Sequence, residues 1–261
     1  MPRRDGTSRI NLFSPPYQEL DGDAPPPGAS SQVLRGCALI WWLEDAVRQQ
    51  DEFEQLRTRP HGLPLVVLLP PPQQVTATIP LLNFVPTLRP RAVIPGLSLG
   101  TADRLRQILA TPPRSIPETV GRYLRDRGLL RDNRIRREVY RILELAPDVT
   151  SVTRISTRLY TSRRTLGRHF AAAGLPVPSH WLQFARLLYV TTQLQSTDSA
   201  ILRIAVRSGY PDGFTLSNQM KRLIGARPTQ VRQLLGWEWI VEEWLHREAD
   251  NGSLDRGRYL A

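Results

Sequence analysis

Residues 151–232 carry one local pattern twice: a short helix, a tight turn and a second short helix, with a longer apolar helix between the two copies. A chain built this way has to fold as helices packed on a shared rod, because each short helix offers only one narrow apolar face. In the first copy Ile155 and Leu159 lie four residues apart, as do Leu166 and Phe170, so the two helices turn apolar sides toward each other. Ser162 heads the second helix as an N-cap whose hydroxyl accepts from the free amides of the next turn. The opposite side of that helix carries Arg163, Arg164, Gly167 and Arg168.

The second copy runs from Ile201 to Gly225. Gly209 supplies the positive φ that a tight interhelical turn needs, Asp212 is placed to cap, and Leu216 with Met220 repeats the inward pair. Pro228 comes next as a stop signal. Between the copies, Trp181 to Leu194 has apolar residues at helical spacing, which predicts a rod of roughly 22 Å. Such a rod can hold two helix pairs about one DNA turn, roughly 34 Å, apart on one face of a duplex.

These residues resemble the AraC/XylS family of transcription regulators over about 148–235. Ile204-Ala205, Gly209-Tyr210, Leu216-Ser217, Lys221, Gly225 and Pro228 fall on the second motif, and Ser162 to Leu166 with Phe170 on the first. The resemblance implies a mainly α fold: a C-terminal seven-helix double helix-turn-helix domain, here preceded by a small α/β, degenerate receiver-like domain. It implies a bacterial, sequence-specific regulator that reads two adjacent major grooves of double-stranded DNA. Base-contacting positions fall on Arg164, Gly167 and Arg168 in the first recognition helix and on Gly213, Phe214, Ser217 and Asn218 in the second. Arginine suits the O6 and N7 of guanine, Asn218 suits adenine, and Phe214 suits a thymine methyl. Phosphate contacts are expected from Ser162, Arg163, Thr165, Lys221 and Arg222, which fix register without carrying sequence information. Two departures stand out. Tyr160 occupies a turn position usually held by glycine, and Asn218 replaces an arginine often found there. The first motif is therefore expected to lead direct readout.

Charge supports a phosphate-facing surface in this region. Residues 148–236 hold twelve basic and three acidic residues, whereas 1–147 hold twenty and fifteen. Thirty-four arginines against the single Lys221 show a composition bias toward arginine, but such a bias does not remove acids. The lone lysine excludes a Walker A motif and a pyridoxal aldimine in the first half, and no Gly-x-Ser-x-Gly elbow is present. His61, His169, His180 and His246 are isolated, so no metal is expected, and no cofactor; His169 reads as a helix-surface or DNA-backbone residue. Cys37 is the only cysteine and reads as a core residue. No apolar stretch is long enough to cross a bilayer, and no signal-peptide pattern opens the chain, so a cytoplasmic, nucleoid-associated protein is expected.

Outside the two copies the chain divides further. Residues 1–31, with Pro15-Pro16 and Pro25-Pro26-Pro27, are expected to be a disordered arm. Residues 32–100 are expected to form a small α/β sensing or dimerisation domain. Within it Leu39 to Arg57 reads as a helix, Leu63 to Leu69 as a buried strand, 73–85 as a helix and Ala92 to Ile94 as a short strand. The phospho-acceptor aspartate of a receiver is missing, since the buried strand ends at Pro70. Residues 101–147 read as a helical connector, 148–236 as the DNA-binding domain, and 237–261 as a final helix and tail whose tryptophans cap a core. RNA polymerase, a second copy of the chain and an unidentified effector of the N-terminal domain are further candidate partners. Three other readings fit the residues: a nucleoid-type binder without sequence preference, a Cys37-dependent activity in the first half, and a purely protein-binding module.

Overall fold

The computed structural model describes residues 10–21, 34–43, 50–70, 79, 81–95 and 101–260. The chain divides into two compact units: residues 1–110 with 233–239, and residues 111–232 with 240–261.

In the first unit, β1 (Ile10–Phe13), β2 (Ala38–Trp42), β3 (Leu65–Leu68) and β4 (Ala92–Ile94) form one sheet in that order. β1 runs antiparallel to β2, while β2, β3 and β4 are parallel. Side chains alternate across the sheet, so Leu39, Trp41, Leu65 and Val67 enter one core while Ala38, Ile40, Val66 and Leu68 enter another. Both faces are covered, which is why β3 reads as a continuous apolar run rather than an alternating one. Leu56 of α1 (Gln50–Arg57) packs on the first face, and Leu105 and Leu109 of α2 (Thr101–Ala110) on the second.

Two expectations change here. Residues 39–42, read as the start of a helix, are the strand β2; a short apolar run has no periodicity of its own, and pairing on both sides decides its state. Residues 10–13, inside the expected loose arm, form β1 with Ile10 and Phe13 fully buried. Tyr17 anchors the segment after β1: its hydroxyl donates to the carbonyl of Gly36 at 2.7 Å and accepts from the amide of Leu235 at 2.8 Å. Burial pushes its ionisation well above the usual tyrosine range. Most of the helix expected over 73–85 lies outside the described residues; Val85–Leu88 forms a 3-10 turn.

The second unit is helical. α3 (Ile116–Asp126) and α4 (Asn133–Leu145) precede α5 (Val152–Arg158), α6 (Arg163–Ala172), α7 (Pro178–Ser196), α8 (Ile201–Arg207), α9 (Gly213–Ile224) and α10 (Pro228–Gln233). α11 (Glu238–Asp250) and α12 (Arg256–Leu260) complete the chain order. The central rod α7 is longer than expected, 19 residues, because Pro178 starts it a turn earlier at a position where a missing amide costs nothing. That gives about 28 Å of helix. α7 is buried nearly all round, from Trp181 through Leu194, and packs against α4, α5, α6 and α8. A helix buried on all but one narrow side, here the stripe of Gln183, Arg186, Tyr189 and Gln193, has to sit at the centre of its unit. Trp244 of α11 completes this core, stacked on Phe184 with ring centroids 4.1 Å apart and edge-on to Trp181 at 4.7 Å.

Candidate nucleic-acid interface

Both short-helix pairs are closed by the same device. In the first, Tyr160 has φ 51° and the amide of Thr161 donates back to the carbonyl of Ser156; in the second, Gly209 has φ 77° and the amide of Tyr210 donates to Ala205. This is the Schellman arrangement, with a left-handed residue just past the helix end. Tyr160 therefore adopts the glycine geometry without being glycine, and its side chain is 99% exposed, so no packing offsets the strain. Tyr160→Gly is expected to raise stability by about 0.5–1 kcal/mol, the relief of about 1–2 kcal/mol less glycine's entropy cost. The urea midpoint of the purified protein checks this.

The recognition helices start from side-chain caps. Ser162 Oγ accepts from the amide of Thr165 at 3.0 Å and shares a hydrogen bond with Thr165 Oγ1 at 2.9 Å. The two hydroxyls expected on phosphate are thus engaged with each other and with the helix start. Asp212 caps α9 by accepting from the amide of Thr215 at 2.6 Å, and the hydrogen bonds from Thr215 hold its carboxyl below the usual range.

On α6, Leu166 and Phe170 are fully buried while Arg163, Arg164 and Arg168 are exposed and Gly167 is partly exposed. A Cβ at Gly167 would meet nothing within 4 Å, so nothing inside the unit requires glycine there. On α9, Leu216 and Met220 are buried, and Phe214, Asn218, Lys221 and Arg222 are exposed, with Gly213 and Ser217 intermediate. Phe214 is 75% exposed, an unusual state for a large aromatic. Arg163, Arg164, Arg168 and Lys221 have no carboxylate partner among the described residues. Arg222 is held by the side-chain carbonyl of Gln183 on α7 at 2.8 Å.

Other residues of the interface carry no local signal in the sequence. Leu202 (58% exposed) and Val206 (55%) lie four apart on the outer side of α8, beside exposed Arg203 and Arg207; the i, i+4 spacing is visible but indistinguishable from a buried pair. Arg186 of α7 braces the second turn, donating to the carbonyl of Ser208 at 2.9 Å with its guanidinium 5.4 Å from the ring centre of Tyr210. His169 is not an open surface residue: its Nδ1 lies 2.7 Å from Glu138 Oε1 on α4. Trp237 and Trp244 are buried, as expected of core residues.

Residues 155–234 match the family model of a helix-turn-helix domain, from the middle of α5 to just past α10. The chain carries an AraC-type helix-turn-helix domain. That domain is a DNA-binding one of the kind found in transcription regulators, and double-stranded DNA is its partner. No curated protein matches the chain. The matched segment of this AraC-type domain leaves out α4 and α11, which nonetheless pack into the same unit. No described helix is long and apolar enough to cross a membrane.

Proposed function

We propose that the AraC-type domain reads specific sequence in two adjacent major grooves, with α6 leading base readout and α9 mainly holding the backbone. The observation that carries this is the pair Arg164 and Arg168, one turn apart on the exposed side of α6 and free of carboxylates. Such guanidiniums are available for the O6 and N7 of guanine, where each makes two parallel hydrogen bonds. Arg163 and Lys221 take phosphates, Asn218 takes adenine and Phe214 a thymine methyl. Ser217 and Gly213 let α9 approach, and Arg222, Ser162 and Thr165 flank the backbone. The 19-residue α7 sets the spacing of the two reading helices.

Gly167 supports the same reading. A glycine inside a helix costs about 1 kcal/mol against alanine, and no neighbour demands it, so the reason for it lies outside the protein. Gly167→Ala is expected to stabilise the chain by about 0.8–1 kcal/mol while weakening binding to a selected site. A stabilised variant with unchanged affinity would remove close approach as its role.

In the N-terminal unit, Cys37 is buried and burial pushes its thiol up to about 11, so the thiolate needed by a cysteine nucleophile is scarce near neutrality. For this unit, whose sheet is covered on both faces and so has a core of its own, we infer a sensing or dimerising role, in a cytoplasmic, nucleoid-associated protein that also meets RNA polymerase. Hydroxyl-radical footprinting on a selected fragment tests two-groove binding: two protected patches about 10 bp apart on one face are expected. A single patch would reject it. A specificity ratio near one between selected and random DNA would favour a nucleoid-type binder instead.

A further inference from the structure

A cleft of about 560 Å3 opens within the second unit, between the start of α4, the far end of α6 and Arg258 of α12. Its volume is that of a small-molecule site. Four guanidiniums line it, Arg131, Arg134, Arg137 and Arg258, together with His169. Its one carboxylate, Asp132, is already committed, accepting from the amides of Arg134 at 2.7 Å and Ile135 at 3.0 Å. None of the four arginines forms a salt bridge among the described residues; after those two amides, the field of Arg134 and Arg137 helps hold the Asp132 carboxyl below its usual range, so one carboxylate faces four guanidiniums.

Three of the four cations are held in place by hydrogen bonds. Arg131 Nε donates to the carbonyl of Gly128 at 3.0 Å, and Arg258 Nη1 to that of Leu129 at 3.4 Å. Each bond uses part of a five-donor fork and leaves the rest for a ligand. Glu138 holds Nδ1 of His169, so Nε2 is the nitrogen turned to Arg134, 3.4 Å from its Nη1. Bringing four like charges together against a single carboxylate is unfavourable unless something anionic enters. The planar forks of arginine match phosphate oxygens two at a time, and four forks exceed what one phosphate can accept.

We propose that this cleft binds a ligand carrying two or more phosphate groups. The site is distinct from the base-reading edge. At about 100° per residue, His169, Ala172 and Ala173 lie about 140° around α6 from the centre of Arg164, Gly167 and Arg168. A bound ligand therefore touches the recognition helix on its flank and adjusts how the helix is presented to DNA.

Calorimetric titration of the full chain with sodium tripolyphosphate tests this, beside Arg137→Gln, Arg137→Gln/Arg258→Gln and Arg164→Ala/Arg168→Ala. Arg137 is exposed and makes no side-chain hydrogen bond or ion pair among the described residues, so its single substitution leaves folding intact. Saturable binding is expected in the parent chain, weakened by at least about tenfold in the 137/258 variant and kept in the 164/168 variant. Equal affinity in the parent and the 137/258 variant, or no binding to the parent, overturns the proposal. The source of the phosphates is read from DNA binding by the 137/258 variant. Unchanged affinity assigns the cleft to a free polyphosphate compound; an equal loss on selected and random DNA, with a shallower salt slope, assigns it to the DNA backbone. Because the 164/168 variant separates the two sites, failure here leaves the base-reading proposal untouched, and the reverse also holds.

Discussion

The Arg164→Ala/Arg168→Ala protein is expected to lose most of its preference for its selected site over random DNA. Each bidentate arginine–guanine pair contributes about 1–3 kcal/mol of discrimination, and the whole margin between specific and non-specific binding is typically about 4–10 kcal/mol. Two such pairs are thus a large share of the margin. Both side chains are exposed on α6 and make no ion pair within the protein among the described residues, so their removal leaves the fold unchanged. Fluorescence anisotropy on selected and scrambled duplexes at one salt concentration measures the effect. Equal losses on both duplexes would instead make the two arginines phosphate contacts.

Trp244→Ala is expected to destabilise the second unit by about 3–5 kcal/mol, against total stabilities of about 5–15 kcal/mol for ordinary domains. Trp244 is fully buried, stacked on Phe184 with an interplanar angle of 7° and edge-on to Trp181. Both partners belong to α7, the rod on which α4, α5, α6 and α8 pack. Emptying that space leaves the rod without support on one side. Urea unfolding followed by far-ultraviolet circular dichroism measures the loss. A change below about 1 kcal/mol, the range of surface substitutions, would show that α11 only decorates the unit. The residue lies beyond the matched segment 155–234, so the result also decides whether the AraC-type domain of this chain is complete without its C-terminal helix.

The helix-turn-helix pairs were legible because their signals are local. The caps Ser162 and Asp212, the inward pairs Leu166–Phe170 and Leu216–Met220, and Gly209 act within one or two turns of chain. Tyr160 was visible as a departure, yet only the backbone shows that it keeps the left-handed geometry rather than remodelling the turn. The sheet was half legible. β3 and β4 stand between prolines and glycine, whereas β1 is four residues whose state depends on β2, far away in sequence, and β2 itself merges into an apolar-then-charged run that mimics a helix. The role of 233–239 was not legible at all. The amide of Leu235 bonds to Tyr17, and Arg91 pairs with Glu238 at 2.6 Å and lies 5.8 Å from the ring centre of Trp237; no local pattern announces partners that distant. His169 misled for the same reason, since its partner Glu138 is on another helix.

Sequence-specific reading led by α6 is tested most directly by sequencing the genomic fragments that the purified protein selects at moderate salt, beside those selected by the Arg164→Ala/Arg168→Ala protein. A short shared motif recovered by the parent and lost by the variant is the predicted result. Unselective recovery by both proteins would contradict it.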